Sequence, residues 1–266
     1  MAEVSVRIAG LRTSILTRDL KIADVVRGRY KGFLSAGTPD WRIAMDTQPA
    51  GHPPFADDVA VTRNGGPAQF SVRRGNLAGT VDLRERRGTA VLIDPPHEAS
   101  VDVYLRILYS LALVEVHGLV LHAASLVRNG KAYLFCGPSG SGKTTVARLS
   151  PDKTLLSDEL SIVKISDGSA VCCGTPFWGE LARAGEDRTA PLAGIYFLRQ
   201  GTRHAAETLR PRHALERLLP NVVFFAREAD VTARVFGIAA GLVEAVPCFD
   251  LFFRPDPGFW EVVEDA

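Results

Sequence analysis

The run Gly137-Pro138-Ser139-Gly140-Ser141-Gly142-Lys143-Thr144 fits the pattern GxxxxGK[ST] in full. That pattern suits one kind of chemistry, the cradling of a phosphate chain. Glycines let successive backbone N–H groups turn inward around phosphate oxygens. Lys143 has the reach for the β- and γ-phosphates, and the Thr144 hydroxyl is a ligand type for Mg²⁺. Ser139, Ser141 and Thr145 lie in or directly after the loop and count with the same nucleotide-binding stretch. The apolar run 133–136 precedes the pattern and a helix is predicted from Lys143, whose N-terminus adds partial positive charge.

A second chemical element follows closely. Leu155-Leu156-Ser157-Asp158-Glu159 is an apolar run ending in two acids, the form of a strand that brings a carboxylate to a phosphate-bound metal. Asp158 stands only fifteen positions after Lys143. One short helix and a tight return must therefore carry the acid back beside the phosphates, which points to a compact kinase core rather than a GTPase or motor. A third element is His122 in Val120-Leu121-His122-Ala123-Ala124-Ser125. On its own, a histidine in an apolar strand is more often a core residue than a catalyst.

These residues need elements to position them. Strands are predicted at 119–126 and 132–136, joined through Arg128-Asn129-Gly130, a strong hairpin signal. The helix from Lys143 stops by Ser150-Pro151. Further strands are predicted at 154–156, 160–165, 192–198 and 248–253. Helices are predicted at 211–219 with proline first, at 231–244 after Asp230 as N-cap, and as a terminal turn at 259–264. Upstream, apolar spacing predicts a helix over 101–117, with Ser100 as N-cap, Asp102 in the positive first turn and Gly118 at its end. The first hundred residues read as β-rich, with short runs at 4–8, 59–62, 69–72, 80–83 and 90–93 separated by turns such as Asn64-Gly65-Gly66. Residues 35–54, rich in glycine and proline, read as irregular. The layout is a β-rich part, 1–97, and a nucleotide-binding part, 98–266.

Composition limits the alternatives. The chain has 266 residues, with 31 Lys+Arg against 30 Asp+Glu and 46% hydrophobic residues. That is a globular composition, and the charge balance makes no case for nucleic acid or anionic membrane as partner. The most apolar stretch, 101–116, is interrupted by Asp102, Arg106 and Glu115, so it reads as a buried helix and not a membrane span. The N-terminus lacks the apolar core of a signal peptide, its run being cut by Arg7 and Arg12. Four cysteines without a CxxC pair read as reduced thiols of a cytoplasmic protein.

Taken together, Leu121-His122-Ala123, the run from Tyr133 through Gly137 to Lys143-Thr144, and Leu156-Ser157-Asp158-Glu159 resemble the HPr serine kinase/phosphorylase family. The matched block is about residues 118–165. Gly174-Thr175-Pro176-Phe177-Trp178-Gly179-Glu180 and Ala190-Pro191-Leu192 resemble a subset of kinase-like proteins found beside peptide-modification and cell-surface gene clusters. The resemblance implies an α/β P-loop kinase core of the HPr kinase and phosphoenolpyruvate carboxykinase type. It implies that Lys143 and Thr144 hold phosphates and metal, that Asp158 accepts the proton of a serine hydroxyl, that Glu159 helps hold Mg²⁺, and that His122 lies near the transferred phosphate. The family's second signature, an Arg-Gly-x-Gly-Ile-type loop for phosphorolysis, has no counterpart here. Glu180 is either a substitute acid at the metal or a loop residue. The segment 182–189, with Arg183 and Arg188, is either a loop that closes on nucleotide or a solvated one. Members of the family often form oligomers, which carries over as an expected homo-oligomer.

The resulting expectation is an ATP- and Mg²⁺-dependent kinase acting on a serine of a protein or peptide. Two other readings stay open: a nucleotide-binding regulatory protein without transfer, and a small-molecule kinase.

Overall fold

The computed structural model describes residues 1–49 and 59–265. It is a mixed α/β fold with two mixed sheets. The chain divides into two compact units, Met1–Ala112 with Phe224–Thr232, and Leu113–Val223 with Ala233–Ala266.

The first unit holds β1 (Ala2–Ile8), β2 (Leu11–Thr17), α1 (Leu20–Arg29), β3 (Trp41–Gln48), β4 (Ala60–Arg63), β5 (Gln69–Arg74), β6 (Leu77–Asp82), β7 (Arg87–Ile93) and α2 (Glu98–Ala112). Its sheet runs in the order β1-β2-β3-β7-β6-β5-β4. β3 pairs in parallel with both β2 and β7, and the other neighbours are antiparallel. The expected β-rich character is present, but residues 41–48 form a central strand where an irregular segment was expected. Trp41, Ile43 and Met45 are buried alternately with exposed neighbours, a period of two that the surrounding glycines and prolines mask. Residues 50–54 of that expected loop lie outside the described residues.

Helix α2 begins at Glu98 and ends at Ala112, and Val114–Val116 is a separate 3₁₀ turn. Ser100 is therefore inside the helix rather than at its N-cap. The left-handed residue that stops the turn is His117, φ 54°, while Gly118 already opens the next strand. Tyr104 of α2 occupies space that only glycine leaves: a Cβ on Gly88 would stand 2.1 Å from its hydroxyl. That hydroxyl donates to the Thr80 carbonyl at 2.7 Å.

Asp102 does not serve the helix dipole. It is buried, takes the Arg29 guanidinium at 2.6 Å and 3.1 Å, and accepts the Tyr30 hydroxyl. Burial first, and the adjacent carboxylate second, push the Tyr30 phenol well above its ordinary range.

The second unit holds β8 (Gly118–Arg128), β9 (Lys131–Cys136), α3 (Lys143–Arg148), β10 (Thr154–Ser157), β11 (Leu160–Ser166), β12 (Ser169–Cys173), β13 (Thr189–Gln200), β14 (Ala205–Thr208), α4 (Pro211–Leu218), most of α5 (Ala229–Ala245), β15 (Cys248–Phe253) and α6 (Phe259–Glu264). Strand pairing makes a closed circuit from β8 through β11, β12, β13 and β9 back to β8. β15 adds to β13 in parallel and β14 closes the edge. The sheet's aromatic core stacks Tyr196 between Phe135 and Phe249, at 5.6 and 5.0 Å between ring centroids. α3 contributes Val146 and Ala147 to this core and α6 contributes Phe259 and Trp260. The Trp260 indole donates to Ser150 Oγ at 2.7 Å, which itself donates to the Val146 carbonyl at 2.8 Å. The end of α3 is thereby fastened, and its first residue, Lys143, inherits a fixed place.

The four cysteines are buried and unbridged. No helix among the described residues is long and apolar enough to cross a membrane.

The Arg29–Asp102 pair generates a stability prediction. Asp102→Ala leaves a buried guanidinium without its carboxylate and is expected to cost about 3–5 kcal/mol. Urea unfolding of the full chain, followed by far-UV circular dichroism, measures this. A loss below about 1 kcal/mol would mean that water reaches Arg29 freely.

Candidate functional site

The middle of β8 organises the site. On one edge, residues 123–128 pair with β9, and Ala123 stands opposite Cys136. On the other edge, β10 pairs with residues 125–127 and β11 with residues 118–122. β10 and β11 thus lie end to end along one side of β8. Asp158 and Glu159 fill the irregular join between them, and the Ala123 N–H donates to the Glu159 carbonyl at 3.1 Å. The glycine-rich loop leaves β9 one residue after Cys136. The loop and the acid pair therefore meet across one residue of β8, next to His122.

The loop's geometry follows from its glycines. Gly137, Gly140 and Gly142 all have positive φ, at 158°, 77° and 109°. Gly137 and Gly142 are both crowded, because a Cβ would stand 2.5 Å from Ser141 Oγ at the first and 2.5 Å from the Phe253 ring at the second. Lys143 is buried and folds back so that Nζ donates to the carbonyls of Gly137 and Pro138, at 2.8 and 3.1 Å. Its pKa is lowered by burial, against the opposing pull of Glu159, the Cys136 thiol and Glu180. The Ser141 hydroxyl is buried with no hydrogen-bond partner among the described residues. Thr144 and Thr145 are half-buried on the first turn of α3. The Gly137 N–H is held by Asn221 Oδ1 at 3.1 Å, and Asn221 Nδ2 donates to the Arg217 carbonyl at 2.8 Å. Nothing in the sequence pattern marks Asn221, which lies 84 positions away.

The two acids differ in setting. Asp158 is only 1% exposed, and its oxygens accept the backbone N–H groups of Gly179 and Leu181 at 3.0 and 2.9 Å. Glu159 is half-exposed, with Oε2 at 3.4 Å from His122 Nε2. Glu180 is largely exposed, 3.9 Å from Arg148. Among the described residues no three His, Cys, Asp or Glu side chains cluster as a ready metal site.

The segment after β12 is tied down rather than loose. Thr175 and Glu186 donate their N–H groups to the carbonyls of Leu156 and Leu155, covering the outer edge of β10. Gly185 lies so close to β10 that a Cβ would meet the Leu156 carbonyl at 1.7 Å. Within residues 182–189 the backbone at Gly185 and Glu186 is tied down, while Ala182, Arg183 and residues 186–189 are exposed, in keeping with the solvated-loop expectation for their side chains.

Residues expected to act together are thus brought together: the loop with Lys143, the acid pair and His122. Glu180 stands at the rim, within the electrostatic reach of Lys143.

Comparison with known proteins adds a family. No curated protein matches the chain. Among solved structures, the HPr(Ser) kinase/phosphatase from Coxiella burnetii is 12% identical, with 55% of this chain and 94% of that one covered and a TM-score of 0.32. So loose a superposition carries no argument about fold or activity. The family described as SynChlorMet cassette protein ScmC matches residues 99–266, and the chain belongs to that family.

Proposed function

We propose that the protein is an ATP-dependent kinase transferring the γ-phosphate to a serine hydroxyl of a protein or peptide. The observation that carries this reading is the convergence, on one residue of β8, of the glycine-rich loop and the acid pair, with His122 beside them. In it, the acceptor oxygen bonds to the γ-phosphorus, the bond from that phosphorus to the bridging oxygen breaks, and ADP leaves. The hydroxyl proton passes to a carboxylate. Most of the acceleration is positioning and charge stabilisation.

The loop fits a phosphate chain. Ser141 Oγ is a buried hydroxyl in want of a partner, and the ammonium of Lys143 uses only two of its three protons on loop carbonyls. The residues from Gly137 to Thr145 would hold the nucleotide. Thr144, with Glu180 at the rim, would hold Mg²⁺, which when bound neutralises phosphate oxygens.

Two carboxylates compete for the proton. The family resemblance assigns it to Asp158, but both oxygens of that residue already accept loop N–H groups away from solvent. A base must come within about 2.6–3.2 Å of the proton it takes. Glu159 is the member an incoming hydroxyl reaches, and we give it the proton, leaving to Asp158 the anchoring of residues 179–181. Glu159→Gln is then expected to lower transfer by at least a hundredfold with binding of a fluorescent ATP analogue retained. Asp158→Asn is expected to lower the melting temperature, because an amide cannot accept both loop N–H groups. Loss of transfer in Asp158→Asn at an unchanged melting temperature, with Glu159→Gln active, would return the proton to Asp158.

A nucleotide-binding protein without transfer is the second reading, favoured by the same engagement of Asp158. Labelled ATP offered with serine peptides encoded near this gene separates the two. Phosphopeptide product supports the kinase, whereas tight nucleotide binding with no product from any peptide supports the second reading.

The depressed pKa of Lys143 gives a pH dependence. A lysine is charged below its pKa, so lowering that pKa brings loss of charge to a lower pH than for a free lysine. Affinity for the ATP analogue is expected to fall as pH rises, with a midpoint below the ordinary lysine value. In Lys143→Arg, which stays charged, that midpoint should vanish. A wild-type affinity flat to the ordinary lysine range would contradict the assignment.

A further inference from the structure

A cavity of 410 Å³ opens beside the glycine-rich loop and lies outside every residue assigned so far except His122 and the loop's first two residues. That volume is within the range of small-ligand sites, about 300–1,000 Å³. Its lining includes His122, Gly137 and Pro138 together with Arg199 of β13, Arg217 of α4 and Asn221.

The two arginines are held from behind. Asp250 of β15, only 8% exposed, accepts Arg199 Nε at 3.2 Å and Arg217 Nη2 at 3.5 Å. One carboxylate faces two guanidiniums, so the group keeps a surplus positive charge. Each arginine has five N–H donors. Neither makes another side-chain hydrogen bond among the described residues, and their side chains are 38% and 45% exposed. Glu216, also at the cavity, is engaged by Arg212 at 3.3 Å. Asn221 fixes the Arg217 backbone to the loop, donating to the Arg217 carbonyl and accepting the Gly137 N–H. An occupant is thus positioned relative to whatever the loop holds.

We propose that this cavity is the acceptor subsite and that Arg199 and Arg217 read a carboxylate on the hydroxyl-bearing acceptor. The inference rests on the kinase reading above and specifies its substrate class. Planar guanidiniums preset by a buried acid match a carboxylate in a forked geometry. The nucleotide phosphates have their own donors in the loop, so the arginines are free for the second substrate. The carboxylate belongs either to acidic side chains flanking a serine in a peptide or to a small hydroxy acid.

The test is a binding measurement that needs no phosphate transfer, so it can fail independently of the kinase reading. The full chain, saturated with a non-hydrolysable ATP analogue, is titrated by calorimetry with a serine peptide flanked by glutamates and with the same peptide flanked by glutamines. In a second arm it is titrated with glycerate and with glycerol. The expected result is at least a tenfold preference for the carboxylate member of one pair, which also identifies the source. In Arg199→Gln/Arg217→Gln that preference is expected to disappear while affinity for the ATP analogue stays within twofold. If the double variant does not melt cooperatively, Arg199→Gln/Arg217→Gln/Asp250→Asn removes the buried charge as well and takes its place. No carboxylate preference in the wild type, a preference that survives in the variant, or a tenfold loss of ATP-analogue affinity would each overturn the proposal. The last outcome would assign the arginines to the nucleotide.

Discussion

Everything at the candidate site depends on the pairing register of β8. A strand offers two edges, and each hydrogen-bonded neighbour is fixed to it residue by residue. With Ala123 opposite Cys136 on one edge and bonded to Glu159 on the other, the start of the loop and the acid pair have no freedom to drift apart. A slip of one residue would turn every side chain of β8 to the opposite face. His122 would then leave Glu159, and the alternation that buries Ala124 and Leu126 in the aromatic core would be lost. The core thus enforces the register, and the register places these groups.

The supports behind the loop have the same character. α3 is only six residues long and has little stability of its own. It is held at its end by the Trp260–Ser150 hydrogen bond and along its side by Val146 and Ala147 in the core. Phe253 presses on Gly142 at the loop's other end, where no side chain would fit. Asp158 and Asn221 act as ties of the same kind, each a side-chain acceptor for backbone N–H groups. The first accepts two backbone N–H groups of the covering segment, and the second accepts the first N–H of the loop. A buried backbone donor costs free energy when left unpaired, so each tie also settles a local requirement for hydrogen bonding.

Much of this was legible locally. The β9–loop–α3 sequence, the hairpin at Asn129-Gly130 and the acid pair after an apolar run are short-range signals, and each stands close to its expected place. The failures were also physical. Trp41–Gln48 alternates as a strand should, but glycines and prolines around it resemble a loop. Asp102 satisfies a first-turn rule, yet its free energy is dominated by Arg29, 73 positions away. Ser100 has the chemistry of an N-cap but is buried within the helix's first turn, its hydroxyl accepting from Asn76.

The sequence by itself determined which groups this protein has for chemistry: a glycine-rich loop with Lys143 and Thr144, two adjacent acids, and a histidine in an apolar strand. These are matters of residue type and spacing over a few positions. Only the tertiary structure decided how they are set. It sealed Asp158 under Gly179 and Leu181 while leaving Glu159 reachable beside His122. It also brought Arg199 and Arg217, from two separate elements, to one cavity and set Asp250 of a third against both. Burial and long-range hydrogen bonding distinguish two acids that are neighbours in the chain, and no local spacing carries that information.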